Sequence, residues 1–164
     1  MRASDAHEWS AYLSDSGVTR TTSWGAVDLD TIDALVQRII SAYSSRTSCR
    51  WAIARNVDDL LIGTCGFSWW SRADLNAELV YDLSPTYWRR GIMRRAIGAA
   101  TDWAFDAVGL NRIQAVVMNT NQPSIALLEK CGFAREGLLR QYRIARGTPA
   151  DFFMYSLLAR TRTT

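Results

Sequence analysis

Leu83-Ser84-Pro85-Thr86-Tyr87-Trp88-Arg89-Arg90-Gly91-Ile92-Met93-Arg94-Arg95-Ala96 joins two different periodicities. Before it, Ala77–Leu83 is a short run around Leu79, Val80 and Tyr81, which reads as a strand. After it, Ile92, Ala96, Ile97, Ala100, Trp103, Ala104 and Ala107 recur at helical spacing. Gly91–Val108 is therefore predicted to be a helix, with Gly109 as its C-terminal cap. The first turn of a helix has unpaired N–H groups and the positive end of the helix dipole. A glycine there admits a bulky anion to the backbone. The flanking arginines add forked donors suited to phosphate. Together these features predict a pyrophosphate cradle. The spacing fits neither G-x-x-x-x-G-K-[ST] nor G-x-G-x-x-G. Taken alone, a helix-start glycine among solvated arginines is the ordinary alternative.

Upstream, Arg50–Arg55, Leu60–Trp70 and Ala77–Leu83 are predicted strands, with a hairpin turn at Asn56-Val57-Asp58-Asp59. Short turns between them imply an antiparallel meander. Helices are predicted near Ser4–Ser14, capped by Ser4 or Asp5, and over Asp30–Tyr43. In the second, Ile32, Leu35, Val36, Ile39 and Ile40 follow an acidic start at Asp28 and Asp30. Downstream, Ile113–Met118 reads as a strand. Pro123 fits the first turn of a helix running to Cys131 and ended by Gly132. Two strands near Ala134–Ile144 and Phe152–Leu158 flank a turn at Arg146-Gly147-Thr148-Pro149. The order α-α-β-β-β-α-β-α-β-β predicts an α/β (α+β) fold, a mixed sheet with helices on its faces.

With 164 residues, 48% apolar and 21% charged, the chain is expected to form one domain over 1–164. The formal charge is +3, and Lys130 is the only lysine. No block of five like charges and no aromatic-basic interleaving occurs, so a nucleic-acid partner is weakly supported. Cys49, Cys65 and Cys131 form no CxxC and have no histidine cluster, so no metal is expected and the cysteines read as small buried apolar residues. No stretch of 18 apolar residues and no apolar leader over Met1–Trp9 is found. A cytoplasmic protein without a membrane partner is expected.

Tyr87-Trp88-Arg89-Arg90-Gly91-Ile92-Met93 resembles the acyl-CoA pyrophosphate loop, Q/R-x-x-G-x-G/A, of the GNAT acetyltransferase superfamily. Asn121-Gln122-Pro123-Ser124, followed by Glu129-Lys130-Cys131-Gly132-Phe133, resembles its N-x-x-S…E-K-x-G-F segment. Leu110-Asn111-Arg112-Ile113 resembles its G-L-x-R-I approach to the fifth strand. Gly137-Leu138-Leu139-Arg140, Asp151…Tyr155-Ser156-Leu157, Leu13-Ser14-Asp15…Val18-Thr19 and Trp51-Ala52-Ile53…Leu61-Ile62-Gly63 are similar to the RimJ/RimL-like branch. The ordered set is more specific than any one segment and covers the chain from about Ala3. There are departures. Trp88 replaces the superfamily's Gln or Arg, although Trp is common there in this branch. Met93 replaces Gly or Ala, and is expected to crowd the loop while leaving its N–H in place. Leu128 stands where many relatives carry a tyrosine general acid. Met1-Arg2-Ala3-Ser4-Asp5-Ala6 resembles the end of an R-P-x-R-x-x-D-A opening, so a GNAT-like, mostly antiparallel sheet with a truncated first strand is expected.

The resemblance implies attack of an amine on the thioester of acetyl-CoA, the co-substrate. It implies CoA contacts from Trp88, Arg89, Arg90, Gly91, Ile92, Met93, Arg94 and Asn121. It also implies that the family's fourth and fifth strands splay apart to receive the pantetheine arm. Glu78, on the fourth, is the first candidate for the base, where desolvation suits a proton acceptor. A strand carboxylate with a structural partner is its alternative, and Asp151 is a second candidate. Ser124 is expected to reach the CoA sulfur and protonate the thiolate, or else to be an ordinary first-turn serine. Asn121 is expected to serve the pantetheine arm or a water, and to cap its helix. Tyr81 reads as a core aromatic before a substrate-side hydroxyl, and His7 has no role. Trp69 and Trp70 line the acceptor pocket, or form packing or a dimer surface. The acceptor is an amine the sequence does not name. RimJ/RimL relatives modify ribosomal-protein N-termini, and others modify small amines, amino acids and antibiotics. A non-catalytic acyl-CoA-binding sensor or scaffold is the alternative function, and a homo-oligomer is compatible with the open sheet edge that a truncated first strand would leave.

Overall fold

Helix starts and turn residues place ten main elements in the expected order. The computed structural model describes residues 1–19 and 27–159. Residues 20–26 and 160–164 of the expected domain lie outside the described residues. The strands are β1 (Cys49–Ala54), β2 (Leu61–Ser71), β3 (Asn76–Leu83), β4 (Arg112–Met118), β5 (Ala134–Ala145) and β6 (Thr148–Leu158). The helices are α1 (Asp5–Leu13), α2 (Ser16–Thr19), α3 (Leu29–Ser45), α4 (Ile92–Asp106) and α5 (Gln122–Lys130). The sheet order is β1-β2-β3-β4-β6-β5. The β1-β2-β3 meander is antiparallel, as its short turns require. β3 and β4 are parallel because α4 carries the chain back between them. β4 and β5 both pair antiparallel with β6.

Strand alternation divides the core between two helical layers. On one face Trp9 and Leu13 of α1 pack with Ile32 and Val36 of α3 over Leu61. On the other, Phe67, Leu79 and Ile113 meet Ile97 and Ala104 of α4 and Leu128 of α5. Asp28 caps α3 by accepting from the Thr31 N–H at 2.8 Å, as its acidic start predicted. Asp82 points into the first layer. There it bonds the Tyr12 hydroxyl and pairs with Arg50, and Thr64 donates to it at 2.9 Å.

Three local differences have physical causes. The short α2 has no apolar period to announce it. Pro85–Tyr87 forms a 3₁₀ turn inside the segment read as plain turn, with Pro85 supplying its fixed φ. β6 begins at Thr148, so Thr148 and Pro149 belong to the strand and the turn is the pair Arg146-Gly147, at φ 51° and 82°. Consecutive positive φ values are the two-residue hairpin geometry whose twist matches paired strands. Pro149 is tolerated because it sits at the turn end of the hairpin, at the start of β6 and before the stretch that pairs with β4. Among the described residues no strand precedes α1, and β1 forms one edge of the sheet.

Candidate active site

β3 and β4 pair only at Asn76↔Arg112, Ala77↔Ile113 and Glu78↔Gln114. Beyond that point β3 continues along β2 to Leu83↔Gly63, and β4 continues along β6 to Met118↔Phe152. Each strand thus keeps its outer partner and loses its inner one. The gap is a cleft of ≈ 200 Å³ walled by Leu79-Val80-Tyr81 and Ala115-Val116-Val117-Met118. Backbone N–H and C=O groups on such facing edges need partners, and an extended ligand can supply them. α4 and α5 each follow the C-terminal end of one of these parallel strands. Their N-termini therefore start at the open end of the cleft, the usual ligand side of parallel strands.

Gly91 caps α4 in the left-handed region at φ 70°. The first backbone bond of the helix runs from the Arg95 N–H to the Gly91 carbonyl at 3.2 Å, leaving the preceding amides of Ile92, Met93 and Arg94 at its start. A side chain at Gly91 would meet only the Arg95 guanidinium, at 3.4 Å. The glycine is thus required by its backbone angle, and the space beside it is open. Arg89, Arg90, Arg94 and Arg95 are exposed, and no described carboxylate forms an ion pair with any of them. Arg90 lies 5.4 Å over the Tyr87 ring, and the Trp88 indole donates to the Leu83 carbonyl at 2.7 Å. These contacts hold the loop while its cationic side faces solvent. An oxygen-rich anion fits this donor set.

Deeper in, Glu78 is 5% exposed. Its Oε1 accepts from Arg143 at 3.0 Å, and Gln114 donates to Oε2 at 3.4 Å. The hydroxyls of Tyr81 and Ser124 lie 2.5 Å apart. Burial raises the Tyr81 phenol above its ordinary value, a shift the Ser124 bond opposes. Asn121 caps α5 by accepting from the Ser124 N–H at 3.1 Å. Carboxylate, phenol, hydroxyl and amide all line the one cleft.

Residues 1–134 match the family model described as acetyltransferase (GNAT) domain. The chain belongs to the GNAT acetyltransferase family. It is 36% identical over 157 residues to YoaA, an uncharacterised N-acetyltransferase of Bacillus subtilis (strain 168), covering 94% of this chain and 88% of that one. It is 35% identical over 161 residues to p20, an uncharacterised N-acetyltransferase of Bacillus licheniformis, covering 98% and 90%. The structure of Mycobacterium smegmatis RimJ in complex with CoA-disulfide superposes with a TM-score of 0.89 at 24% identity, over 100% of this chain and 82% of that one. The fold is thus the GNAT fold.

In this GNAT chain the expected residues fall in two places, the start of α4 and the cleft. Gly91, Ile92 and Arg94 lie at the start of α4, with Trp88, Arg89 and Arg90 in the loop before it, while Glu78, Asn121 and Ser124 line the gap. Met93 is a correction: its side chain is 6% exposed and packs in the core, so it does not crowd the loop. Asp151 is another. Its carboxylate accepts from the Gln141 N–H at 2.7 Å and so holds an irregular turn of β5 at φ 50°. Trp70 packs against Trp103 on a separate cavity with Tyr43, Arg46 and Arg72, and Trp69 is exposed; neither lines the cleft. Leu128 is 1% exposed in the core. A phenol does line the cleft, that of Tyr81, which reads as an ordinary strand aromatic in sequence. Arg143 was missed altogether, because it lies on a strand whose alternation is broken between Leu139 and Arg143. Among the described residues no group of three or more His, Cys, Asp or Glu could hold a metal, and no helix is long and apolar enough to cross a membrane.

Proposed function

We propose that this acetyltransferase moves the acetyl group of acetyl-CoA to a primary amine, either a protein N-terminal α-amine or a small-molecule amine. The observation that carries this reading is the parting of β3 and β4 beside both an anion cradle and a buried proton acceptor. The amides of Ile92, Met93 and Arg94, with Arg89, Arg90 and Arg94 around them, bind the CoA pyrophosphate. The facing edges of β3 and β4 and the Asn121 side chain bind the pantetheine arm.

Glu78 accepts the proton that the amine must lose, directly or through water. The amine nitrogen then bonds the thioester carbon, and the carbon–sulfur bond breaks. The Ser124 hydroxyl gives its proton to the departing thiolate, and Tyr81 passes a proton on to Ser124. The Tyr81–Ser124 pair thus supplies the acid that Leu128 cannot, which argues against a purely non-catalytic binding role. An α-amine, with an ordinary pKa of about 7.7–8.0, needs less help than a lysine amine at about 10.4. Glu78, the one carboxylate among the described residues that line the cleft, suits the former. We place the reaction in the cytoplasm, where acetyl-CoA is made. Thiol release from acetyl-CoA with a panel of peptide N-termini and small amines tests the reading. Tight acetyl-CoA binding without acceptor-dependent thiol release from any amine would overturn it.

A further inference from the structure

The carboxylate assigned to the base already has a cationic partner. Arg143 Nη2 lies 3.0 Å from Glu78 Oε1, across the cleft that both residues line. Its guanidinium also lies 5.0 Å over the Tyr142 ring and 5.9 Å from the centre of the Phe152 ring. The β5 irregularity just before it is held by the Asp151–Gln141 bond at 2.7 Å. The Arg143 side chain is 40% exposed, but its head is held by Glu78 and the strand that carries it by Asp151. Arg50 also borders the cleft, but Asp82 and Thr64 already occupy its donors.

An amine that arrives as ammonium competes with Arg143 for the Glu78 oxygens. Arginine stays protonated throughout, so displacement leaves a guanidinium without its anion. An acceptor with its own carboxylate near the amine removes that cost. Its amine meets Glu78 while its carboxylate meets Arg143, and one ion pair becomes two. Resting on the acetyl-transfer reading above, we infer that the acceptor is an amine bearing a nearby carboxylate, and that Arg143 selects it. The carboxylate is either the α-carboxylate of a free amino acid or the acidic side chain of a peptide's first residue.

The test measures kcat and KM by thiol release from the full chain with two matched series. Free amino acids are compared with their carboxamides, and peptides beginning with Asp or Glu with those beginning with Asn or Gln. In at least one series the acid is expected to be preferred by about tenfold or more in kcat/KM, the usual weight of one charge-assisted bond. The series that shows it identifies the source of the carboxylate. Arg143→Gln is expected to abolish that preference through KM, lowering turnover of the neutral acceptors far less, and Arg143→Lys to keep part of it. Equal use of acid and amide by the wild-type enzyme overturns the inference. So does an Arg143→Gln loss that falls alike on both members of each pair. Absence of thiol release with every acceptor, from protein that binds acetyl-CoA, overturns the acetyl-transfer reading and this inference with it.

Discussion

The Tyr81 and Ser124 hydroxyls, 2.5 Å apart, tie β3 to the first turn of α5 beside the gap between β3 and β4. Burial raises the phenol above its ordinary value and so keeps it protonated, as the proposed role of the pair as acid to the leaving thiolate requires. Tyr81→Phe and Ser124→Ala are each expected to lower kcat, by about tenfold or more, within the range of acid catalysis. Acetyl-CoA affinity by calorimetry should hardly change, because the bond to sulfur matters in the transition state. The double variant should lose little more than either single one, since the two hydroxyls form one relay. Wild-type kcat in Ser124→Ala with only a lowered Tm would reduce the serine to a helix support.

Gly91 caps α4 at a backbone angle of φ 70°, and the proposed pyrophosphate cradle depends on that angle. Gly91→Val is expected to weaken acetyl-CoA binding and to cost about 1–2 kcal/mol of stability, the usual strain of an L residue in that region. Gly91→Asn should retain more of both, because asparagine tolerates this conformation. Calorimetric affinities paired with melting curves check the order Gly, Asn, Val. Unchanged affinity in folded Gly91→Val protein would remove the cradle from cofactor binding.

The contrast between these two positions shows what could be read from residues alone. Gly91 sits where a strand pattern gives way to a helical one, so both its place and its chemistry are local. The six strands and four longer helices were legible for the same reason, through local apolar runs, helical spacing, caps and turn residues. The Tyr81–Ser124 pair joins residues 43 positions apart, and Arg143 meets Glu78 across 65. Such contacts depend on sheet order and on where β3 and β4 part, which no local pattern encodes. Met93 illustrates the converse. Its position in the motif suggested crowding, but helical phase turns its side chain into the core.

Acid should weaken the link between β4 and β5 in a defined window. Arg112 holds Glu136 through two bonds of 2.7 Å, and Ser156 donates a third at 2.6 Å. The Arg112 bonds, then the Ser156 bond, lower the Glu136 carboxyl from 4.5 to about 2. A depressed folded-state value stabilises the fold above the unfolded value, and that contribution disappears as pH falls from 4.5 towards 2. Glu136 is 42% exposed, so solvent screening limits the effect to less than about 1 kcal/mol. Glu136→Gln is therefore expected to melt slightly below wild type at neutral pH and to converge with it near the acid end. Melting curves at stepped pH check this, and a gap that widens on acidification would contradict it.

Glu78 allows the sharpest test of the proton path. It is buried on β3, and its carboxylate is bonded to Arg143 and Gln114. Glu78→Gln retains the shape and one acceptor oxygen but cannot take a proton. Below its own pKa the acceptor is mostly ammonium and must lose a proton before its lone pair can attack. Above that pKa the free amine is already abundant. Loss of the base should therefore cut kcat/KM most at low pH and less as pH rises past the amine's value. The typical cost is about 10²–10⁴-fold at the low-pH end. A purely structural carboxylate predicts something different, a loss that is independent of pH and accompanied by a lower Tm. Two acceptors separate the cases further. An α-amine near pKa 8 should recover in Glu78→Gln at about two units lower pH than a lysine-type amine near 10.4. A pH profile unchanged in shape by Glu78→Gln, for both acceptors, would assign the proton to water or to the acceptor itself.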